Sequence, residues 1–89
     1  MRMKAVREYY GVPAKRGMWV EVYYLPLGWG RGGADVWRLA KRGRITSATH
    51  SLFIDGGGPY HPRYGVVYFE KEGGAVLLDT REDYAGGEE

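Results

Sequence analysis

The sequence predicts a mainly β fold, a small SH3-like barrel of about five antiparallel strands with one short helix inserted after the first strand, and three observations carry that expectation. Fifteen glycines and four prolines punctuate 89 residues, so the elements must be short and joined by turns. The stretch "MWVEVYY" places Met18, Val20, Val22 and Tyr24 on one face and Trp19, Glu21 and Tyr23 on the other, the period of a strand. The stretch "GVVYFEKEGGAVLLDT" reads as a hairpin that turns at "KEGG". Closing or half-closing such a sheet hides the strand edges that a domain this small cannot otherwise cover.

Taken in order, residues 1–10 form an extended arm or one helical turn, and the sequence does not decide which. In "GVPAKRG" Pro13 fixes its own φ, biases Val12 toward an extended shape, and Gly17 permits a tight entry into the first strand. "LPLGWGRGGADVWRLAKRG" reads as a Gly-rich loop giving way to the inserted helix. Asp35 is its N-cap, Val36, Leu39 and Ala40 share a face, Lys41 and Arg42 suit the negative end of the dipole, and Gly43 closes it. "RITSATHSLFIDGGGPY" is two strands or one bent strand, ended by Gly56 to Pro59. In the last hairpin Val67 and Phe69 face one way on the first strand, and Val76 and Leu78 on the second. The expected organisation is a single domain over residues 1–79, with an insertion at 25–43, followed by a flexible acidic tail over 80–89.

Composition narrows the function classes. The chain is 44% hydrophobic and 15% aromatic, enough for a packed core. A domain of this size buries only about 60 to 65% of its unfolded surface, which argues against a large internal active-site cavity. With no cysteine there is no disulfide, thiolate zinc site or cysteine nucleophile, and a reducing cytoplasm is the simplest home. "MRMKAVREYY" lacks the apolar core of a signal peptide and nothing approaches a membrane span, so no membrane partner is expected. The net charge of +2 conceals a polarity: residues 1–44 carry ten Lys or Arg against three acids, and residues 45–89 carry three against eight. The halves are thus +7 and −5, a basic face for polyanions beside an acidic tail, or a charge distribution that serves only solubility.

Catalytic motifs are weak. "GWGRGG" matches a dinucleotide fingerprint through Gly28, Gly30 and Gly33, with Asp55 following 22 residues later. Pro26 interrupts the strand before it, however, and too little chain remains for a doubly wound sheet. A metal would need His50 and His61 with a carboxylate such as Asp55, and no spacing fixes that geometry. Ser47 and Ser51 lack a nucleophile-elbow context. Asp79, Glu82 and Asp83 lie in or near a polar stretch where burial cannot raise a carboxyl pKa for acid catalysis. The expectation is no enzyme, no cofactor and no metal.

What remains is a basic and aromatic set: Lys15, Arg16, Trp19, Tyr23, Trp29, Arg31, Arg38, Lys41, Arg42 and Arg44, joined later by His61 and Arg63. Cations mixed with aromatic planes neutralise phosphates and stack bases. Trp37 and one further Trp belong to the core in the plainer alternative, with the arginines simply solvated.

The segments "YYGVPAKRGMWVEV" and "YHPRYGVVYF" together resemble the ends of a group of short, uncharacterised bacteriophage and prophage proteins. These have a start like YGVPAKRGMxVxV, a centre like GxIxxxxxxxLxVxxDG and a close like HPTWxxxY. The start is matched from Tyr10 through Met18, then Val20 and Val22, the centre loosely by Gly43, Ile45, Leu52, Ile54, Asp55 and Gly56, and the close by His61, Pro62, Tyr64 and Tyr68. The insertion at 25–43, the change to "HPRY" and the extension "EKEGGAVLLDTRED" depart from that pattern. The resemblance implies a phage-encoded SH3-like fold in the cytoplasm of a bacterial host, and brings no activity residue by residue.

Two functions therefore stand side by side: a non-catalytic module binding nucleic acid through a basic and aromatic rim, and an inhibitor of a host protein such as a defence complex. In the second, the insertion with Trp29 and Trp37 has the composition of an interface hot spot. The alternatives are a sponge for a small signalling nucleotide, which would use a homo-oligomer pocket, and a minor virion structural protein.

Overall fold

The computed structural model describes residues 3–25 and 37–83. The expectations placed on Gly28–Gly33, Trp29, Arg31 and the Asp35 cap lie outside the described residues. The fold is mainly β: one antiparallel sheet in the order β4-β3-β2-β1-β5-β6, covered by one short helix.

That helix, α1, spans Met3–Tyr10, which resolves the arm-or-helix ambiguity of the N-terminus. Its apolar side follows helical spacing, with Val6 fully buried and Met3 and Tyr10 packed against the core. Gly11, at φ 66°, ends it, its N–H bonding the Arg7 carbonyl at 2.9 Å. Arg63 then donates from Nη1 to the carbonyls of Tyr10 and Gly11 at 2.9 and 3.0 Å, satisfying acceptors that a helix end leaves open.

Strand β1 (Trp19–Tyr24) keeps the expected alternation: Val20 and Val22 are buried, while Trp19, Glu21 and Tyr23 are only partly covered. β2 (Arg38–Ala48) is long, pairing with β1 through residues 38–44 and with β3 (Leu52–Ile54) through residues 45–48. Over residues 38–43 the expected helix is replaced by strand, since Arg38, Leu39, Lys41, Arg42 and Gly43 lie in a ladder opposite Tyr24, Tyr23, Val22, Glu21 and Val20. Ladder hydrogen bonds to a distant strand outweigh the local helix preference of "RLAKR". Gly43, expected as a helix cap, sits mid-ladder where a Cβ would collide with the Asp55 carboxylate.

The "DGG" segment does not end the strands. Asp55 and Gly56, at φ 51° and 81°, form a two-residue turn of the kind that suits hairpin twist, and the chain continues as β4 (Gly57–Tyr60). β5 (Val66–Phe69) returns beside β1, and β6 (Val76–Asp79) pairs with β5. The hairpin turns at "KEGG", where the Gly74 N–H bonds the Lys71 carbonyl at 2.8 Å. The facing expected in this hairpin is mixed. Val66 and Tyr68 enter the main core, Val67 is buried on the opposite side, and Val76 is half exposed.

The sheet does not close. β4 and β6 are its outer strands, so the barrel expected for edge protection is replaced by an open sheet. Ile45, Leu52, Ile54, Val66 and Tyr68 fill the space between the sheet and α1, together with Val12 and Ala14 from the connecting loop. Thr80–Asp83 form a 3-10 turn, and Thr80 is fully buried. Its hydroxyl donates to the Val66 carbonyl and accepts from the Val66 N–H. Among the described residues no helix is long and apolar enough to cross a membrane.

Candidate functional site

The segment "AKRGM" makes a β-turn in which the Met18 N–H bonds the Lys15 carbonyl at 3.1 Å. Gly17, at φ 83°, occupies the turn position that a side chain would strain. Gly17 donates to the Ile45 carbonyl at 2.7 Å and Ile45 to the Met18 carbonyl at 2.9 Å, so the turn is pinned to the middle of β2. That pinning places exposed Lys15 and Arg16 beside the last residues of β2, with α1 alongside.

Between them lies an open cleft of about 460 Å3, lined by Lys4 and Arg7 from α1, Lys15 and Arg16 from the turn, and Ser47 from β2. Met3 and Ala48, both packed against the core, complete the lining. Among the described residues no carboxylate contributes to it. Arg7 is the anchored member of the set: its Nη1 donates to the Ala14 carbonyl at 2.9 Å and ties α1 to the loop that carries Lys15 and Arg16. Four cations concentrated around one depression give a local positive potential that low-dielectric walls strengthen.

The other cations are divided between environments. Arg42 and Arg44 are cross-strand partners of Glu21 and Trp19, which places them on the sheet face opposite the main core. There the Arg44 guanidinium lies 5.6 Å from the Trp19 ring centre and 3.2 Å from the Glu72 carboxylate. Arg38 and Lys41 are registered with Tyr24 and Val22 instead, so the basic stretch 38–44 is split between both sides of the sheet and does not form one patch. His61 and Arg63 belong to the clamp on α1. The His61 ring meets Tyr10 edge to face at 5.2 Å, and its Nδ1 accepts from the Arg63 N–H.

Tyr23 also lies in a closed network. Its hydroxyl donates to Glu21 Oε1 at 2.7 Å, and the Arg81 guanidinium sits 4.3 Å above its ring. Arg81 holds Asp79 through two side-chain bonds of 2.7 and 2.9 Å. Burial, reinforced by the bond to Glu21, pushes the Tyr23 phenol up. The Arg81 hydrogen bond holds the Asp79 carboxyl below its ordinary value, so this carboxylate is set for ion pairing.

Of the residues singled out from sequence, the structure brings Lys15 and Arg16 into the cleft. It places Trp19 with Arg44 on the far face and assigns Arg63 to a helix clamp. Lys4, Arg7 and Ser47 were missed as cleft residues. The signal for the first two was the helical spacing of "MKAVREYY", which puts Lys4 and Arg7 on one side, but only once the segment is known to be helical. Among the described residues no three His, Cys, Asp or Glu side chains gather as a metal site. Residues 9–22 and 60–69 touch each other, since Arg63 bonds the Tyr10 and Gly11 carbonyls and Val20 pairs with Tyr68 across β1 and β5. No family model matches the chain, and no curated protein or solved structure matches it either.

Proposed function

We propose that the protein is a non-catalytic nucleic-acid-binding module that holds phosphate in the cleft formed by α1, the Lys15–Arg16 turn and the end of β2. The observation that carries this reading is the convergence of Lys4, Arg7, Lys15 and Arg16 on one cleft, with no acid lining it among the described residues. Charge gathered in this way costs stability through self-repulsion, and an anionic ligand offsets that cost.

An SH3-like architecture in opened form agrees with this reading. Its support is the strand order β4-β3-β2-β1-β5, the long β2 shared between two halves of the sheet, and the return of β5 beside β1. In small folds of that kind the loop-bearing rim serves recognition, an argument by analogy of fold.

The test is fluorescence anisotropy of a labelled mixed-sequence single strand and duplex, titrated at several salt concentrations. With about three phosphates neutralised, the logarithm of affinity for single strands should fall with the logarithm of salt at a slope of about −2. The variant Lys15→Glu with Arg16→Glu should lose about tenfold or more at low salt. Binding that is absent, or indifferent to both salt and these charges, refutes the reading.

A further inference from the structure

We infer that the cleft is shaped for a phosphate monoester, the doubly charged group at the end of a nucleic acid or on a free nucleotide, in preference to the singly charged diesters of a backbone. The inference rests on the phosphate-binding reading above and concerns which phosphate the cleft selects. A groove that tracks a backbone spreads its cations along the path of the chain. Here Lys4, Arg7, Lys15 and Arg16 surround a single depression of about 460 Å3, a volume within the range of about 300–1,000 Å3 seen for small-molecule sites.

A monoester brings a charge of about −1.5 to −2 at neutral pH and three strong acceptor oxygens, whereas a diester lacks one of those oxygens and the second charge. The donors match the richer group, because they come from three separate elements, α1, the turn and β2, and so approach from different directions. Arg7 gives the set its geometry. One of its N–H groups is committed to the Ala14 carbonyl, which fixes the plane of the guanidinium and leaves four of its five donors for a ligand. Ser47 adds a hydroxyl that donates to an oxygen without adding charge. Neither Lys15 nor Arg16 is drawn off by an ion pair among the described residues, in contrast to Arg44 with Glu72 and Arg81 with Asp79.

The experiment compares one labelled oligonucleotide sequence prepared with a 5′-phosphate, with a 3′-phosphate and with hydroxyls at both ends. Each is titrated with the wild-type protein and with Arg7→Lys and Lys15→Gln. One of the phosphorylated forms should bind at least about tenfold more tightly than the hydroxyl form. Both variants should shrink that ratio toward one, and Lys15→Gln, at an exposed turn position, does so in a folded protein. Displacement by an equimolar nucleoside monophosphate identifies a free nucleotide as sufficient, and displacement only by the phosphorylated oligonucleotide identifies a strand end. Equal, salt-sensitive affinity for all three oligonucleotides would overturn the inference and leave the nucleic-acid reading standing. No binding of any of them would remove both.

Discussion

The two ends of β1 use the same residue types to opposite purposes. At its C-terminal end, Tyr23 lies under Arg81, Arg81 is held by Asp79 through paired hydrogen bonds, and the Tyr23 hydroxyl is spent on Glu21. Beyond its N-terminal end, Lys15 and Arg16 join Lys4 and Arg7 around a cleft that no carboxylate lines among the described residues. A cation neutralised and half-covered by its own chain is part of the fold. One that the described residues leave without a counter-charge is available to a ligand, and the difference lies in neighbours that no single segment of sequence contains.

Substitutions at the Tyr23 end should act on stability, and the largest effect belongs to Gly65→Ala. Gly65 has φ 71°, and a Cβ there would collide with the Tyr23 carbonyl and approach Trp37 at 3.0 Å. Strain and collision together should cost on the order of 3 kcal/mol or more, read as a large drop in Tm by calorimetry. An unchanged Tm would show that this end is looser than its contacts imply. Thr80→Val comes next, because it strips the buried Val66 N–H of its acceptor. An unsatisfied buried donor costs about 1–3 kcal/mol, which urea denaturation would register, while polyanion affinity should stay the same.

Asp79→Asn should cost about 1–2 kcal/mol at neutral pH, as expected for a hydrogen bond to a charged group that is partly exposed. The sign of its pH dependence follows from the depressed native pKa, whose first cause is the Arg81 hydrogen bond. The pair's contribution is complete above the unfolded value of about 4 and is lost as pH falls through the lower native value. Wild-type and Asp79→Asn stabilities should therefore converge below about pH 4. A gap that persisted there would mean that shape, not charge, holds the turn.

The smallest effect on stability is expected from Lys15→Gln with Arg16→Gln, within about 0.5 kcal/mol of wild type and in the stabilising direction if repulsion across the cleft is relieved. The same variant should lose much of its affinity for polyanions. Destabilisation as large as that of Asp79→Asn would erase the distinction between the two ends.

Features settled by near neighbours were readable from the residues. The β1 alternation, the hairpin at "KEGG" and the special role of Gly17 were of this kind, since period and turn chemistry are local. The misreading of 38–43 as helix came from judging "RLAKRG" by its own preferences, when a ladder to residues 20–24 decides its conformation. "DGGGPY" misled in the opposite direction. Gly56 looked like a terminator, yet with Asp55 it reverses the chain and continues the sheet. The cleft was half visible. Lys15 and Arg16 stood out because they border a strand, but Lys4 and Arg7 acquire meaning only through an eight-residue helix whose docking depends on Arg63, more than fifty residues away.

That docking makes the cleft a fastener as well as a receptor. Val6 is the buried residue of α1, and two of the cleft's four cations ride on this helix while the others belong to the turn beside the sheet. An anion bridging both halves must leave before α1 can lift away, so occupancy and helix opening are linked. At a hundredfold excess over its Kd, a ligand bound only to the closed form raises the free energy of opening by about 2.7 kcal/mol. Amide exchange along Met3–Tyr10 should then slow about a hundredfold, a protection confined to one element and a record of where the ligand sits.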